Sequence, residues 1–495
     1  MTASPVPDSR LRAVNDAPVN EGGTHVLYWM IAARRTRWNF GLQRAREQAD
    51  RLGVPLLVFE PLRAGYPWIS PRIHRFVMDG MVDNKERCAD AGVPYVAWLE
   101  PEPGDGKGLL AALAESACLV VTDEFPCFFL PRMVEAAGEE LEVRLEAVDA
   151  NGVVPLQATP KAFSRAFDFR RWFQKSGWPY LEPEGRPMEE PLSGYEGGGS
   201  VQALVGEALG KWPGLSLETS DEELAERFGD EVMPVETTGG SVAGEGRMRA
   251  FVRKELTDYV ERNHPDDDAG SGLSPYLHFG HVSAHEVASL VVDGGGWEGP
   301  PDGMEAKGKR AGWWGLSEAR EGFLDELVTW REVGYTYCHH EPEYDRFESL
   351  PDWARTTMDE HRGDDRPETY TLEQLEQAKT GDPVWNAAQR QLVVEGRIHN
   401  YLRMLWGKRI YEWSESPEQA WERLEQLNNK WCIDGRNPNS YSGIGWVLGR
   451  FDRAWGPERP IYGKLRYMTS DSAKRKLRMS EYLEKWGKKA QGSLF

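Results

Sequence analysis

Short runs rich in β-branched and aromatic residues alternate with amphipathic stretches over the first third of the chain. The runs are HVLYWMI (His25–Ile31), VPLLVFE (Val54–Glu60), VPYVAWL (Val93–Leu99), CLVVTDE (Cys118–Glu124) and EVRLEAVDA (Glu142–Ala150). Between the first two lies WNFGLQRAREQADRLG, with helical spacing and a stop at Gly53. Strand–helix alternation of this kind predicts a parallel, doubly wound α/β sheet. No G-x-G-x-x-G follows the first run, so a dinucleotide site of the Rossmann type is not supported there. From Glu182 to Gly246 the chain turns acidic and rich in Gly and Pro. After Arg247 the pattern is almost wholly helical, broken by the Gly-rich insert DGGGWEGPPDGMEAKGKRAGWWG, which reads as a surface loop. The predicted organisation is a disordered tail over 1–22, an α/β domain over 23–165, an interdomain connection over 166–246 and an all-α domain over 247–495.

A length of 495 residues, 40% hydrophobic, suits two or three cores rather than one. No uncharged apolar run is long enough to span a membrane. The five cysteines (Cys88, Cys118, Cys127, Cys338 and Cys432) form no C-x-x-C pair, which argues against a disulfide framework or zinc site and for a reducing cytoplasm. The net charge of −20 disfavours a polyanion partner. It is unevenly spread, however: from Ile461 onward nine Lys/Arg face three Asp/Glu, leaving room for a locally basic face. Twenty tryptophans can fill aromatic cores, stack a ligand or relay electrons, and only position decides among these.

Four stretches of the helical part can carry chemistry. SGLSPYLHFGHVSAHEV, from Ser271, offers hydroxyls and a proline-started helix that either receives a phosphate or is an ordinary capped N-terminus. LDELVTWRE sets Glu326 and Trp330 four apart, on one helix face, where a carboxylate beside a flat aromatic can bind and stack a nucleobase or simply form a helix salt bridge beside a core Trp. RIHNYLRMLWGKRIYEW spaces Asn400 and Met404, and Arg403 and Trp406, one turn apart. A buried Arg403 needs an anionic partner, and Asp434 is a candidate. LNNKWCIDGRNPNSYSGIGW is dense in turn-forming polar residues between aromatics, as expected of a rim around a buried heteroaromatic ligand.

These stretches, with DPVWNAAQRQL and DRAWGPERPIYGKLRYM, resemble in order and spacing the class II cyclobutane pyrimidine dimer photolyases, across roughly the last 250 residues. The resemblance implies an N-terminal α/β antenna domain, a helical domain holding FAD, and light-driven electron donation from reduced FAD to a dimer flipped out of DNA. It implies FAD-binding roles for Tyr259, Ser271, Leu273, Ser274, Arg403 and Asp434, and places Asn428 toward flavin N5. Read without it, Asn428 is equally suited to cap the C-terminal end of its helix. The resemblance further implies that Glu326 contacts the dimer, that Trp330, Asn400, Met404 and Trp446 line the lesion pocket, and that Trp406 and Trp385 relay electrons to oxidised flavin. A second antenna chromophore, of the deazaflavin type, is expected or else absent. No metal is implied. Damaged DNA is the implied partner, the chain acting as a cytoplasmic monomer. Three motifs depart from the family pattern: HNY (His399–Tyr401) stands where HGY is usual, GRNPNSY where GRDPNGY is usual, and RRTRWNFGL where the antenna signature is usually more acidic. The alternative is a cryptochrome-like photoreceptor with the same flavin and no repair. A dark flavin oxidoreductase lacks support in the absence of a pyridine-nucleotide fingerprint.

Overall fold

A computed structural model describes residues 5–197 and 200–487. The ends of the expected tail (1–4) and of the basic C-terminal segment (488–495), with two glycines of the expected connection, lie outside the described residues. The chain divides into two compact units. One comprises 1–160, 176–249 and 273–294; the other comprises 161–175, 250–272 and 295–495.

The first unit is built on a six-stranded sheet whose strands lie in the order Leu11–Ala13, Leu145–Val148, Ala117–Asp123, His25–Trp29, Leu56–Leu62, Tyr95–Leu99. All five expected strands are present: β2 (His25–Trp29), β3 (Leu56–Leu62), β4 (Tyr95–Leu99), β5 (Ala117–Asp123) and β6 (Leu145–Val148). They pair in parallel. Both faces are covered, which explains why β2 and β5 are buried at every position and read as continuous apolar runs. Val26, Tyr28, Leu56 and Val58 enter the core on one side, and Leu27, Trp29, Leu57 and Phe59 the core on the other. The helix Phe40–Leu52 is capped by Asn39, whose side chain accepts from the Gly41 and Leu42 amides. It ends at Gly53 in the left-handed conformation the sequence suggested.

Three expectations need correction. The segment read as a disordered tail contributes the edge strand β1 (Leu11–Ala13), antiparallel to β6. Arg10 beside it is buried and donates to the carbonyls of Asp149 and Val153. A three-residue strand with no apolar run of its own is created by its partner, so local pattern could not announce it. The segment read as a connection contains the helices Ala166–Ser176, Gln202–Lys211 and Asp221–Phe228, the last with a capping box between Ser220 and Glu223. Leu224 of that helix is buried in a cluster with Leu62, Val77 and Leu99. The Gly-rich insert is more than a surface loop, because Trp313 and Trp314 at its end are buried against Phe173.

The second unit is helical, and none of its described residues forms a named strand. Glu318–Leu324, a π-helical turn Asp325–Trp330 and Arg331–His340 run on as one rod. Pro383–Glu395, Asn400–Trp413, Pro417–Trp431 and Pro438–Val447 follow. Asp382, Ser416 and Asn437 cap the N-termini of the first, third and fourth of these, each ahead of a proline in the first turn. No described helix is long and apolar enough to cross a membrane.

Candidate functional site

Burial along the helices of the second unit singles out the residues that are not packed against protein. On the rod from Glu318 to His340, Glu326 and Trp330 are half-open while Asp325, Leu327, Val328 and Thr329 are buried. On Asn400–Trp413, Asn400 is exposed and Arg403 and Met404 half-open, while Leu402, Leu405, Trp406 and Lys408 are buried. On Pro438–Val447, Asn439, Ser442, Gly443 and Trp446 are half-open. On the rod and on Pro438–Val447 these positions repeat at three and four residues as one open stripe, whereas Asn400–Trp413 is open over its first turn and again at Arg409 and Glu412. The stripes belong to helices in direct contact. A side chain at Gly334 would strike Asn439 and Ser442, and one at Gly407 would strike Val447, so glycine lets both helices close on Pro438–Val447.

Glu326 and Trp330 share their stripe in a π-helical turn, not in the regular α-helix that the spacing suggested. The wider turn is a feature often found at functional sites. Glu326 Oε1 lies 3.6 Å from Arg262 Nη2 and 3.9 Å from Arg310 Nη2. Burial and the neighbouring Asp325 carboxylate nonetheless raise its pKa above the ordinary carboxylate value. Tyr259 lies buried nearby, with the Arg262 guanidinium 4.6 Å from its ring centre and Phe251 and Phe323 packed edge-on against its ring.

Arg403 and Asp434 form the ion pair expected of them, at 3.1 Å. Burial opposes the Arg403 charge, but Asp434 more than offsets it and raises the guanidinium pKa. Asn428 is still inside the helix Pro417–Trp431, and its carbonyl receives the Cys432 amide. The capping role therefore falls away: it is not a left-handed residue past the helix end. Its Nδ2 donates to Asn429 Oδ1 at 3.1 Å, and its Oδ1 lies 3.4 Å from the Cys432 thiol. Asn429 Nδ2, by contrast, is buried and meets no partner among the described residues.

The polar stretch that follows is shorter as a loop than its composition suggested, since only 432–437 are non-helical. Its polar residues hold two helix ends. Arg436, buried and in the left-handed region at φ 64°, donates to the carbonyls of Asn429, Cys432 and Ile433, closing the C-terminus of the preceding helix. Asn437 caps the next helix through the Ser440 amide at 2.8 Å, and Ser440 Oγ donates to the Asp434 carbonyl. Both departures from the family pattern in GRNPNSY thus do structural work around Asp434.

Trp406 and Trp385 are buried and parallel, their ring centres 6.4 Å apart and planes 2° from each other. Trp385 Nε1 donates to the Trp406 carbonyl and Trp406 Nε1 to Gln389. The series does not stop there. Trp413 lies 5.3 Å from Trp385, and the half-open Tyr370 lies 5.0 Å from Trp413. Tyr370 carried no sequence signal, because it comes from a separate segment and only folding brings it to Trp413.

Ser271 is half-open in the helical unit. Leu273 and Ser274 fall in the other unit, where Leu273 is fully buried and Ser274 exposed at the start of the short helix Ser274–His278, which has proline in its first turn as expected. No group of three or more His, Cys, Asp or Glu that could hold a metal occurs among the described residues.

The donor set suits a flavin. A guanidinium–carboxylate pair, two adjacent buried amides with an unused donor at Asn429, and apolar helix faces match a ring with polar rim and apolar faces. The sequence comparisons agree. Residues 323–459 match the FAD binding domain of DNA photolyase. The chain is 32% identical to the deoxyribodipyrimidine photo-lyase of Methanothermobacter thermautotrophicus, covering 96% of this chain and 97% of that protein. It is 32% identical to the deoxyribodipyrimidine photo-lyase of Arabidopsis thaliana, covering 94% and 89%. The archaeal photolyase of Sulfolobus tokodaii, solved with two FAD molecules, superposes with a TM-score of 0.65 at 14% identity, over 94% of this chain and 90% of that one. An α/β unit and a helical unit of this kind define a photolyase-like flavoprotein fold. The chain belongs to the photolyase/cryptochrome family.

Proposed function

We propose that this chain is a light-driven DNA repair enzyme that reverts cyclobutane pyrimidine dimers, of the class II type, acting as a cytoplasmic monomer. The observation that carries the reading is the set of open stripes. Glu326, Trp330, Asn400, Met404 and Trp446 are among the less buried positions of helices otherwise packed into a core, as a pocket for a flipped-out dimer of adjacent bases would require. A photoreceptor that binds no lesion has no need of all five.

FAD, when bound and reduced, supplies the photoexcited electron that opens the cyclobutane ring. Arg403, Asp434 and Asn428 would hold it, with Tyr259 and Ser271 of the same unit contributing to its binding. Arg403, paired with Asp434, would keep a positive charge beside a bound flavin and favour an anionic group there. Trp330 and Trp446 offer flat faces to the dimer and exclude water from it. Glu326 can bond the dimer's carbonyl or N3–H edge, and burial beside Asp325, which raises its pKa, favours the protonated form that donates to a carbonyl. That hydrogen bond strengthens as negative charge builds on the dimer, so it favours the reacting state over the ground state. Trp406 and Trp385 conduct electrons inward during activation and have no part in ring opening.

The test is to illuminate the reduced holoprotein with an oligonucleotide carrying one thymine dimer and to assay restored thymines. Restoration in light and none in darkness is expected. A protein whose flavin cycles normally under light while the dimer persists would instead be a photoreceptor.

A further inference from the structure

The Gly-rich insert carries the run Lys307-Gly308-Lys309-Arg310, strongly basic in a chain of net charge −20. The structure fixes where that run lies. Gln174, buried on the helix Ala166–Ser176, grips it by the backbone: Oε1 accepts the Gly308 amide at 2.9 Å and Nε2 donates to the Lys309 carbonyl at 3.3 Å. Downstream, the buried Glu321 carboxylate collects the amides of Gly312, Gly315 and Leu316, and Trp313 and Trp314 anchor in the aromatic cluster with Phe173. The basic run is therefore tied down on both sides and cannot swing free.

Arg310 is thereby held beside the pocket carboxylate. Its Nε is 3.3 Å from Asp325 Oδ2 and its Nη2 3.9 Å from Glu326 Oε1. Asp325 has no need of it for neutralisation, since Arg170 already grips both its oxygens at 2.6 and 2.9 Å. Nor is Arg310 packed away, for its side chain is 59% exposed. A guanidinium carries five donors in one plane, and the two carboxylates engage only part of that fork. Lys309 beside it is exposed and makes no ion pair among the described residues, while Lys307 pairs with Glu305.

We propose that the insert is a DNA-contacting strap, with Lys309 and Arg310 binding backbone phosphates that flank the lesion, Arg310 the phosphate nearest the flipped nucleotide. This rests on the reading of Glu326 as a lesion contact. A nucleotide flipped into the pocket brings its own phosphates to the pocket mouth, where an exposed, pre-positioned guanidinium can take one through two parallel hydrogen bonds.

The experiment uses the FAD-loaded protein and labelled duplexes with and without a single thymine dimer, with Kd measured over a salt series. Parent protein is compared with Lys309→Gln, Arg310→Gln and Arg310→Lys. Each lost phosphate contact should flatten the slope of log K against log salt by about 0.9. Arg310→Gln should also lower the preference for damaged over undamaged duplex. Arg310→Lys should restore the salt slope but not the preference, because an ammonium keeps the charge and loses the fork. Slopes and affinities unchanged in Lys309→Gln and Arg310→Gln would overturn the proposal and leave Arg310 as a structural partner of Asp325. Lys309 lies outside that ion-pair network, so its variant stays informative even if Arg310→Gln folds poorly. A parent protein that neither prefers nor repairs damaged duplex would sink the functional reading itself. A parent that repairs, with variants of unaltered salt slope, would sink the strap alone.

Discussion

At the carboxyl ends of β2 and β5, where the strand order of the sheet reverses, a doubly wound fold ordinarily offers its ligand crevice. In this chain the polar groups there serve the fold. Asp123 Oδ2 accepts the amides of Ile31, Ala32 and Ala33 at 2.8 to 2.9 Å, and Oδ1 accepts the Tyr28 hydroxyl at 2.6 Å. On the next strand, Glu60 takes Arg34, Asn84 and Tyr95. The helical unit differs. Its buried amide at Asn429 has an unused donor, and its open stripes carry a carboxylate, a guanidinium and two indoles. The difference lies in the carboxylates: those at the crevice are satisfied by the fold, whereas Glu326 stands on an open stripe, so a ligand site is argued from its own groups rather than from the fold.

If the contrast is right, substitutions in the two places should fail in different ways. The largest effect is expected at the tryptophan pair. Trp406→Phe should abolish light-driven reduction of oxidised FAD and leave repair by chemically reduced enzyme intact, as absorbance changes during illumination would record. Persisting photoreduction would mean that electrons reach the flavin by a route that bypasses Trp406. The Trp413 and Tyr370 rings extend the series beyond Trp385, so Trp413→Phe should slow the process in the same assay.

Asp123→Ala should act on stability alone. It leaves the amides of Ile31, Ala32 and Ala33 without their acceptor and the Tyr28 hydroxyl with only Asn39 at 3.4 Å, at a cost of about 3 kcal/mol or more, readable in a denaturant titration. Flavin content and repair per folded molecule should be unchanged. A lost repair yield at full stability would show that this crevice also serves the reaction.

Glu326→Gln should show the opposite pattern, a repair yield lower by roughly tenfold or more, the worth of one hydrogen bond to a charged group. Its stability should carry a pH signature. The folded-state pKa of Glu326 is raised, so the native chain keeps a proton that the unfolded chain releases, and ionisation costs stability as pH rises through the folded value. Gln escapes that cost. The variant should be more stable than the parent at neutral pH, with the gap closing in acid below the unfolded carboxyl pKa of about 4.3. A gap independent of pH would mean that Glu326 has the same pKa folded and unfolded.

The smallest effect is expected at Asn428. Asn428→Asp replaces an amide donor by a carboxylate facing Asn429 Oδ1, costing about 1 to 2 kcal/mol of stability. It also sets a like charge near anionic flavin, so photoreduction should slow while FAD stays bound. Lower stability with unaltered photoreduction would show that this amide serves only the loop.

The sequence alone determined the parts that repeat locally. The five parallel strands and the helices with Asn39, Asp382 and Ser416 at their N-termini follow from apolar runs, helical spacing and caps, which act within a few residues. Motif order likewise made Arg403 with Asp434, and Trp406 with Trp385, legible as pairs. Tertiary structure decided what depends on distant partners. The edge strand β1 exists because β6 is there to pair with it. The polar loop before Trp446 is short because Arg436 and Asn437 tie two helix ends together. Trp313 and Trp314, written in a stretch that looks like a flexible loop, are drawn inward by Phe173. Tyr370 meets Trp413, and Arg310 meets Glu326, only once separate segments pack. Hydrogen-bond and burial energies at these places are set by neighbours far away in the chain, and no window of residues contains them.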